Sequence, residues 1–358
     1  MKRELAWIHS PALDTVLLAF NWLPVVAFCA WVAARDQQPV CDLVGFDSCS
    51  PLLLVLFTVT NFVIRIHRHY TYGLVYADSV EFAKRRATYV WFPVLLFLAM
   101  LPFAFAGYFP HPWSHNLYVM LVVISVPGGV WNVFHIIMQK YGVLRAYAVR
   151  LGYGDARLEC NMLLAWSLFL SAALIAKYGD VLIHEVAAWK RIDISFLAPL
   201  LPLTRYLFVP TLLPAAYYSW RWLGQERSNF SAASIPKLIY AASIALLLST
   251  FAYSIVIGYI AFGFSHAIEY IAFVNIYGAR RPTLAAWMKN RWIMNPVWIV
   301  GVVAFYLLLK RLPAHRSESI ALVLGYTTYN SYVHFLYDGY IWKMRETSVR
   351  ETVLRMNR

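Results

Sequence analysis

The stretch KLIYAASIALLLSTFAYSIVIGYIAFGFSHAIEYIAFVNIY, residues 237–277, decides the fold class of this chain. Its only charged residues are Lys237 and Glu269. It is about twice as long as the ~20-residue helix that crosses a hydrocarbon layer of roughly 30 Å. Because backbone groups in a bilayer must be hydrogen bonded internally, an apolar run of this length favours helices over barrel strands. We therefore predict two consecutive transmembrane helices that divide near Ser254.

The rest of the chain has the same apolar character. Of its 358 residues, 61% are hydrophobic and 14% are charged, whereas soluble domains are about 25% charged. This composition excludes a single water-soluble core. The formal net charge of +13 would suggest a nucleic-acid partner in a soluble protein. Here Lys and Arg lie mostly between apolar segments, which indicates positive-inside membrane topology and no nucleic-acid partner.

The apolar segments predict an all-α, polytopic bundle of about ten transmembrane helices in a single domain, residues 1–358. Prolines interrupt the sixth segment. The predicted spans are Leu13–Ala34, Pro51–Tyr70, Tyr89–Phe109, Asn116–Lys140, Cys160–Ala176, Phe196–Trp220, the two helices within 237–277, Trp292–Lys310 and Ser319–Trp342.

Basic residues predict the orientation of these helices. Lys and Arg are abundant around the loops after the second, fourth and eighth helices, beginning with Arg65 and Arg68, and in the C-terminal tail. The loops after the first and third helices contain almost none. We therefore predict that both termini are cytoplasmic and that the protein lies in a bacterial inner membrane. Four basic residues fall on the opposite predicted side: Lys190, Arg191, Arg311 and Arg316.

The four cysteines form no CxxC pair. Cys29 and Cys160 lie in apolar segments and are expected to be packing residues. Cys41 and Cys49 share one short loop, where a disulfide would form only in an oxidising compartment. The sequence leaves both states of this pair open.

Five of the ten histidines lie within or at the ends of predicted helices. An ionisable group in hydrocarbon costs a few kcal/mol unless it has a partner, so such residues usually face the bundle interior. The four helices concerned run in the same predicted direction, which gives their histidines a similar depth toward the cytoplasmic leaflet. We predict a shared metal site, with a proton or substrate pathway and unrelated structural roles as alternatives. The candidate ligands are His67, His69, His135, His266 and His334.

The other histidines, His9, His111, His115, His184 and His315, fall in predicted loops or helix ends and are expected to be solvated or interfacial. The pair His67 and His69 cannot lie on one face of a regular helix, because two residues turn a helix by roughly 200°. One of the two is therefore expected to be a ligand, and the other to lie around the site or at the membrane interface.

Polar residues three or four positions from the helical histidines share their faces. Glu269 and Asp338 are the candidate catalytic carboxylates. They could also orient a ligand ring through its second N–H or bind the metal directly, and the sequence does not decide between these roles. The further neighbours are Asn132, Gln139, Tyr270 and Asn330.

Tyrosines crowd the histidine segments, where they would either line an apolar substrate cavity or belong to the packed core. They are Tyr70, Tyr72, Tyr259, Tyr270, Tyr329, Tyr332 and Tyr337.

Imidazole with nearby carboxylate suits iron, copper or zinc, and the histidine segments contain no thiolate. We predict iron, mononuclear rather than dinuclear, because an apolar site suits a lipid-soluble substrate and O₂, whereas hydrolytic zinc needs a supply of water. The usual sequence motifs of nucleotide binding and serine hydrolysis are absent.

The segments FHIIMQ (134–139), FSHAIEY (264–270) and YVHFLYD (332–338) resemble the histidine-bearing helices of the Brp/Blh family of membrane-embedded bacterial carotene dioxygenases. The resemblance implies one non-haem iron and oxygenative cleavage of a polyene. It implies as iron ligands His135, His266, His334 and one of His67 or His69. The chain departs from the family in its greater length, in its HRHY segment and in having Glu269 where a second histidine is expected.

The sequence thus predicts a metal-dependent oxidoreductase or oxygenase that acts with O₂ on a lipid, isoprenoid or other apolar molecule in the bilayer. It does not indicate the electron donor. A second hypothesis is a proton- or ion-coupled transporter in which Glu269 and Asp338 form a relay with the histidines. A third, a structural subunit of a membrane complex, gives the histidines no role.

Overall fold

The computed structural model of the protein describes residues 5–36, 50–190, 195–311 and 316–342. Within these ranges the chain is helical almost throughout and contains no strand, apart from an isolated β-bridge between Asp78 and Leu284. The prediction of an all-α fold is confirmed for this part of the chain. The predictions for Cys41, Cys49, His315 and the basic C-terminal tail lie outside the described residues.

Long helices account for most of the described chain, and each predicted span overlaps at least one of them. The division near Ser254 is observed, because one helix ends at Tyr253 and the next begins at Ile255. The helices are α1 Leu23–Asp36, α2 Pro51–Tyr76, α3 Arg86–Ala104, α4 Trp113–Leu151, α5 Ala156–Lys190, α6 Leu201–Ser228, α7 Ile235–Tyr253, α8 Ile255–Arg280, α9 Arg291–Arg311 and α10 Arg316–Ile341.

Seven of the described helices are long and apolar enough to cross a membrane, namely α2, α3, α4, α5, α7, α8 and α9. Their lengths and composition are those of a multi-pass membrane protein. An eighth crossing is obtained if Pro11–Ala19 and Leu23–Arg35 are counted as one broken span. The helix α10 falls outside the seven, because its inward face carries polar residues that lower its mean hydropathy.

The first predicted helix is broken rather than continuous. Its two halves, Pro11–Ala19 and Leu23–Arg35, meet at an angle of 52°. The break agrees with local chemistry, since Pro24 has no N–H to donate and is suited only to the first turn of a new helix. The buried Asp14 holds the start of the first half by accepting hydrogen bonds from the backbone N–H groups of Ile8, His9 and Ser10.

Contacts within the described chain define two units, with boundaries inside α2, α4 and α8. The first comprises residues 5–61 and Ile136–Glu269, and the second Phe62–His135 and residues 270–342. Because α2, α4 and α8 each contribute to both units, the single-domain interpretation stays a prediction.

An apolar core lies in the first unit around α1. Val25, Cys29 and Val32 recur on one face of this helix and pack with Leu53 and with residues of α8. Cys29 is fully buried, in agreement with its predicted packing role, whereas Cys160 is only partly buried.

The first unit also contains a buried ionic group, which we call the Lys237 cluster, made of Arg145, Tyr153, Glu159, Glu226 and Lys237. The ammonium of Lys237 lies 2.7 Å from the Glu159 carboxylate and 2.5 Å from the Glu226 carboxylate. Arg145 adds a second cation 2.8 Å from Glu159, and the Tyr153 hydroxyl donates to Glu226 over 2.8 Å. The cluster therefore ties α4, α5, α6 and α7 together through charge-assisted hydrogen bonds.

In the second unit, Asp78 marks the point where the chain turns after α2. Its carboxylate accepts hydrogen bonds from the N–H groups of Val80 and Glu81, which begin the short helix Ser79–Lys84. Arg281 Nε donates to the same carboxylate over 2.7 Å. Burial opposes ionisation of Asp78, but the hydrogen bonds from Arg281 and Glu81 outweigh it and hold the pKa of this carboxyl below its usual range.

We expect the protein to lose stability in acid through Asp78. A depressed folded-state pKa gives stabilisation that is present above the unfolded pKa of about 3.9 and is lost as pH falls through the folded pKa. Asp78→Asn should remove this acid dependence and lower the free energy of unfolding at pH 7 by about 3 kcal/mol, since it leaves the buried Arg281 without its counter-ion. Thermal unfolding midpoints measured by intrinsic fluorescence from pH 2 to 7 test both effects.

Asp155→Asn is the matched control, because Asp155 also accepts from the first turn of a helix but is exposed. Asparagine caps a helix about as well as aspartate does, so this variant should change the free energy of unfolding by less than ~0.5 kcal/mol. The role of Asp78 would be contradicted if the unfolding midpoint of Asp78→Asn fell with decreasing pH in the same way as that of the wild type.

Candidate metal centre

The helices α2, α4 and α10 bring histidines together in the second unit. His67 comes from α2, His135 from α4 and His334 from α10. Asp338 lies one turn after His334, so that both side chains point from the same face of α10. His67 and His334 are fully buried and Asp338 is 5% exposed, whereas His135 is partly buried.

Three of these side chains point donor atoms at one another, and we call them the triad: His135, His334 and Asp338. The two Nε2 atoms are 3.2 Å apart. Asp338 Oδ2 lies 3.6 Å from His135 Nε2 and 3.5 Å from His334 Nε2. Ligands 2.0–2.2 Å from one ion are about 3.3–3.6 Å apart at the tetrahedral angle. The triad therefore has the spacing of ligands around a single metal ion.

Thr71 contacts the nitrogen of His334 that faces away from this point. Its hydroxyl lies 2.7 Å from His334 Nδ1, 3.2 Å from Asp338 Oδ1 and 2.8 Å from the Tyr270 hydroxyl. When Thr71 donates its proton to Asp338 Oδ1, its oxygen can accept from His334 Nδ1–H. In that tautomer the lone pair of His334 is on Nε2, the nitrogen that faces the triad.

Tyr270 holds the carboxylate of the triad in place. Its hydroxyl donates to Asp338 Oδ1 over 2.8 Å, so that Oδ2 remains the oxygen that faces the two imidazoles. Tyr270 is 2% exposed, and its ring also contacts the rings of His67 and His334. The predicted neighbour Tyr270 thus lies beside the site and orients one of its ligands.

The structure separates the two histidines of the HRH segment. The ring centroid of His67 lies 5.0 Å from that of His334, so this histidine is next to the triad. His69 points to another part of the unit, where Nδ1 lies 2.7 Å from the Arg65 carbonyl and Nε2 lies 2.9 Å from the Tyr326 hydroxyl. A carbonyl only accepts, so Nδ1 donates and Nε2 accepts from Tyr326. Both nitrogens of His69 are therefore used away from the triad.

The predicted residues His266 and Glu269 belong to the first unit. Glu269 is fully buried, and its carboxylate lies 2.5 Å from Lys140 Nζ and accepts a hydrogen bond from the Tyr240 hydroxyl. Its role there is that of an ion-pair partner. His266 is 1% exposed, and its carbonyl accepts from Gln139 Nε2 over 3.1 Å.

The two predicted asparagines lie around the site in the second unit. Asn330 is fully buried and accepts a hydrogen bond from the Tyr72 hydroxyl over 2.9 Å. Asn132 Oδ1 lies 3.5 Å from Arg68 Nη2. Four of the histidines predicted in loops or helix ends fall in the described residues, and all four are exposed: His9, His111, His115 and His184. His115 lies in the first turn of α4, and His184 lies within α5.

Arg68 is the residue beside the site that sequence reasoning missed. The prediction that α2 ends at Tyr70 placed Arg68 near a basic loop, but the helix continues to Tyr76 and Arg68 is only 8% exposed. Its Nη1 donates to Ser331 Oγ over 2.7 Å. Arg65 lies one turn earlier and stacks its guanidinium over the Tyr306 ring, with 4.6 Å to the centroid.

One of the tyrosines predicted around the histidines, Tyr72, also lines a cavity of about 450 Å³ in the second unit. Its walls include Tyr72, Tyr76, Trp287 and Trp298. Trp298 and Tyr72 also contact the ring of His69, with centroids 6.4 and 6.0 Å away. Tyr72 thus has a cavity-lining position, whereas Tyr270 is buried in the network around the triad.

Comparison with known proteins gives no family assignment. No protein-family model, curated protein or solved structure matches the chain. The functional conclusion therefore depends on the geometry and chemistry of the site.

Proposed function

We propose that the protein is a membrane-embedded, metal-dependent oxidoreductase whose metal is held by the triad. The observation that carries the proposal is the mutual distance of 3.2–3.6 Å between the three donor atoms. Two imidazoles and one carboxylate are the donor set of non-haem Fe(II) oxygenases, in which the remaining coordination positions stay open for O₂ and substrate. This donor set favours one iron ion over a dinuclear centre, with copper or zinc as the alternative metals.

One further histidine of the second unit is a candidate to complete the coordination. His67 lies against His334, with 5.0 Å between the ring centroids. It would bring the ligand set closer to the four histidines that the resemblance to the Brp/Blh family implies.

The protein groups around the triad would prepare the site for an apolar substrate. Iron, when bound, would supply the activation of O₂. Thr71 and Tyr270 would hold His334 and Asp338 in the orientation that binding needs, while the buried surroundings would exclude water. Trp131 and Phe134 are exposed on α4 beside the partly buried His135, where a molecule dissolved in the bilayer could approach.

We also propose the full predicted topology, with ten crossings, both termini cytoplasmic and the site toward the cytoplasmic leaflet of a bacterial inner membrane. Three predicted spans are missing from the apolar set of seven helices. The broken first span would supply one crossing, and α6 and α10, which overlap the other two, support the count of ten. The polar residues that keep α10 out of that set include His334 and Asp338. The free-energy cost of placing these polar residues in the hydrocarbon layer would be offset by their interactions within the proposed metal site.

Elemental analysis of detergent-purified protein tests the proposal directly. We expect about one iron per chain and O₂ consumption when an apolar polyene is added. Reconstitution with iron, copper and zinc in turn would identify the metal that supports O₂ uptake. A protein that neither retains nor takes up any of these metals stoichiometrically would refute the proposal.

One observation favours a transporter as the second candidate function. The pair Lys140–Glu269 is a fully buried ion pair within membrane-spanning helices, as in proton or ion relays. A transporter predicts proton or ion flux in proteoliposomes that is lost in Glu269→Gln, with no metal requirement. An oxidoreductase predicts that Glu269→Gln keeps its metal.

A further inference from the structure

The cavity of about 450 Å³ in the second unit lies at the end of a membrane-spanning helix. Tyr72 and Tyr76, at the C-terminal end of α2, form one part of its wall. Trp287, between α8 and α9, and Trp298 of α9 form another part. The volume is within the range of roughly 300–1,000 Å³ that small-molecule sites occupy. The proposed metal centre makes no use of this cavity.

Four aromatic rings line the cavity as two pairs. Tyr72 and Tyr76 lie one turn apart on α2, and their rings are nearly parallel, with 10° between the planes and 6.3 Å between the centroids. The ring centroids of Trp287 and Trp298 are 6.2 Å apart, with 48° between the planes. The face of an aromatic ring carries negative electrostatic potential and attracts a cation that lies over it.

The two tyrosines use their hydroxyl groups elsewhere. The Tyr72 hydroxyl donates to Asn330 Oδ1 over 2.9 Å, and the Tyr76 hydroxyl donates to the Tyr89 carbonyl over 2.6 Å. These hydrogen bonds direct the polar end of each side chain to other residues of the second unit. Both tyrosines therefore contribute ring surface rather than hydroxyl groups to the cavity.

The end of α2 adds negative potential at the same place. A helix carries about half a negative charge at its C-terminus. The next helix, Ser79–Lys84, begins beside the cavity with the opposite sign, but the Asp78 carboxylate accepts hydrogen bonds from its first N–H groups. Arg281 is paired with Asp78 and lies over the ring of Tyr277, which is not part of the cavity wall. The wall therefore favours a cationic ligand.

The surroundings indicate a lipid headgroup with a methylated ammonium. Tyr76 and Trp287 are 46% and 37% exposed at the end of a membrane-spanning helix, where a headgroup could enter from the membrane surface. Lys289 is exposed two residues after Trp287, where it could contact a phosphate. A primary ammonium is strongly hydrated and needs hydrogen-bond acceptors, whereas a quaternary ammonium is bound mainly by ring faces.

We propose that this cavity binds the quaternary ammonium of a phosphocholine lipid headgroup. The ring faces of Tyr72, Tyr76, Trp287 and Trp298 and the C-terminal end of α2 would attract the ammonium, and the lipid phosphate would lie beside Lys289. The inference goes beyond the proposed function, since it needs neither the metal nor turnover.

A series of headgroups with increasing methylation tests the proposal. Phosphatidylethanolamine, its N-methyl and N,N-dimethyl derivatives and phosphatidylcholine, all with the same acyl chains, differ only in the ammonium. Native mass spectrometry of delipidated protein in a maltoside detergent counts the bound lipid. Phosphatidylcholine should bind at least ~10-fold more tightly than phosphatidylethanolamine, with the other two between them.

Two variants of Trp287 relate this preference to the cavity. Trp287→Leu keeps an apolar side chain without a ring and should abolish the preference, whereas Trp287→Phe should retain part of it. Lys289→Gln should weaken the binding of both phospholipids and leave their ratio unchanged. Thermal unfolding midpoints measured on the same samples check that each variant is folded.

Trp292→Leu is the matched control, because it removes an exposed tryptophan of α9 that lies outside the cavity wall. It should keep the full preference for phosphatidylcholine. Equal binding of phosphatidylcholine and phosphatidylethanolamine to the wild type, or an unchanged preference in Trp287→Leu, would overturn the inference. Glycerophosphocholine carries the same headgroup without acyl chains. If it bound as tightly as phosphatidylcholine, the ligand would be a soluble choline compound and the lipid assignment would be overturned.

Discussion

Replacement of His135 and His334 by alanine together should give a folded protein that no longer binds metal. The triad would keep only Asp338, and this carboxylate together with the candidate ligand His67 is too few ligands to hold a transition metal stoichiometrically. The loss of affinity should exceed the ~100-fold that follows removal of a residue that merely orients a ligand. Metal per chain after purification, together with a metal titration of the apo form, measures the effect, and O₂ uptake should fall to background.

Two controls separate loss of ligands from loss of structure. His69→Ala removes another buried histidine of the second unit, whose nitrogens contact Arg65 and Tyr326 rather than the triad. It should keep its metal although it is less stable. The carboxylates give a second contrast, since Asp338→Asn should lose metal and Glu269→Gln should not. Retention of stoichiometric metal by the double alanine variant, or equal loss in His69→Ala, would remove the basis for the proposed centre.

The helical membrane fold was predictable because it depends on local composition. Apolar runs of span length leave the backbone no alternative to a helix in a bilayer. Helix ends were predicted less well, and α2 and α4 continue past their predicted ends at Tyr70 and Lys140. These extensions carry polar and basic residues that make tertiary contacts, such as Thr71 with His334 and Arg145 with Glu159, which hydropathy along the sequence cannot show.

The candidate site was predictable to the extent that a single residue type, in an unusual place in the sequence, indicates function. A histidine in an apolar helix is conspicuous, and the interval from His334 to Asp338 places both on one face. Helical phase also separates His67 from His69, but only neighbouring helices decide which of the two faces the site. Glu269 follows His266 much as Asp338 follows His334, and the two carboxylates differ only in their tertiary surroundings.

The strongest effect on stability is expected at Lys237. This ammonium is fully buried between the carboxylates of Glu159 and Glu226. Lys237→Met keeps the length of the side chain but leaves two buried carboxylates with the single cation Arg145. Removal of one partner from a buried ion pair costs about 3–5 kcal/mol. We expect the thermal unfolding midpoint to fall by roughly 10 °C, measured by intrinsic fluorescence in detergent.

The cause of this effect can be isolated by compensation. The double variant Lys237→Met/Glu226→Gln also removes one of the two buried carboxylates that have lost the Lys237 ammonium. It should therefore be more stable than Lys237→Met alone. Lys177→Met on α5 is the matched control. Lys177 is exposed and contacts the Ala252 carbonyl and the Tyr178 ring rather than a carboxylate, so this variant should change stability by less than ~0.5 kcal/mol. The triad belongs to the second unit, so Lys237→Met protein that is still folded at low temperature should retain its metal. A Lys237→Met protein as stable as the Lys177→Met control would show that Arg145 and Tyr153 alone can hold the two carboxylates.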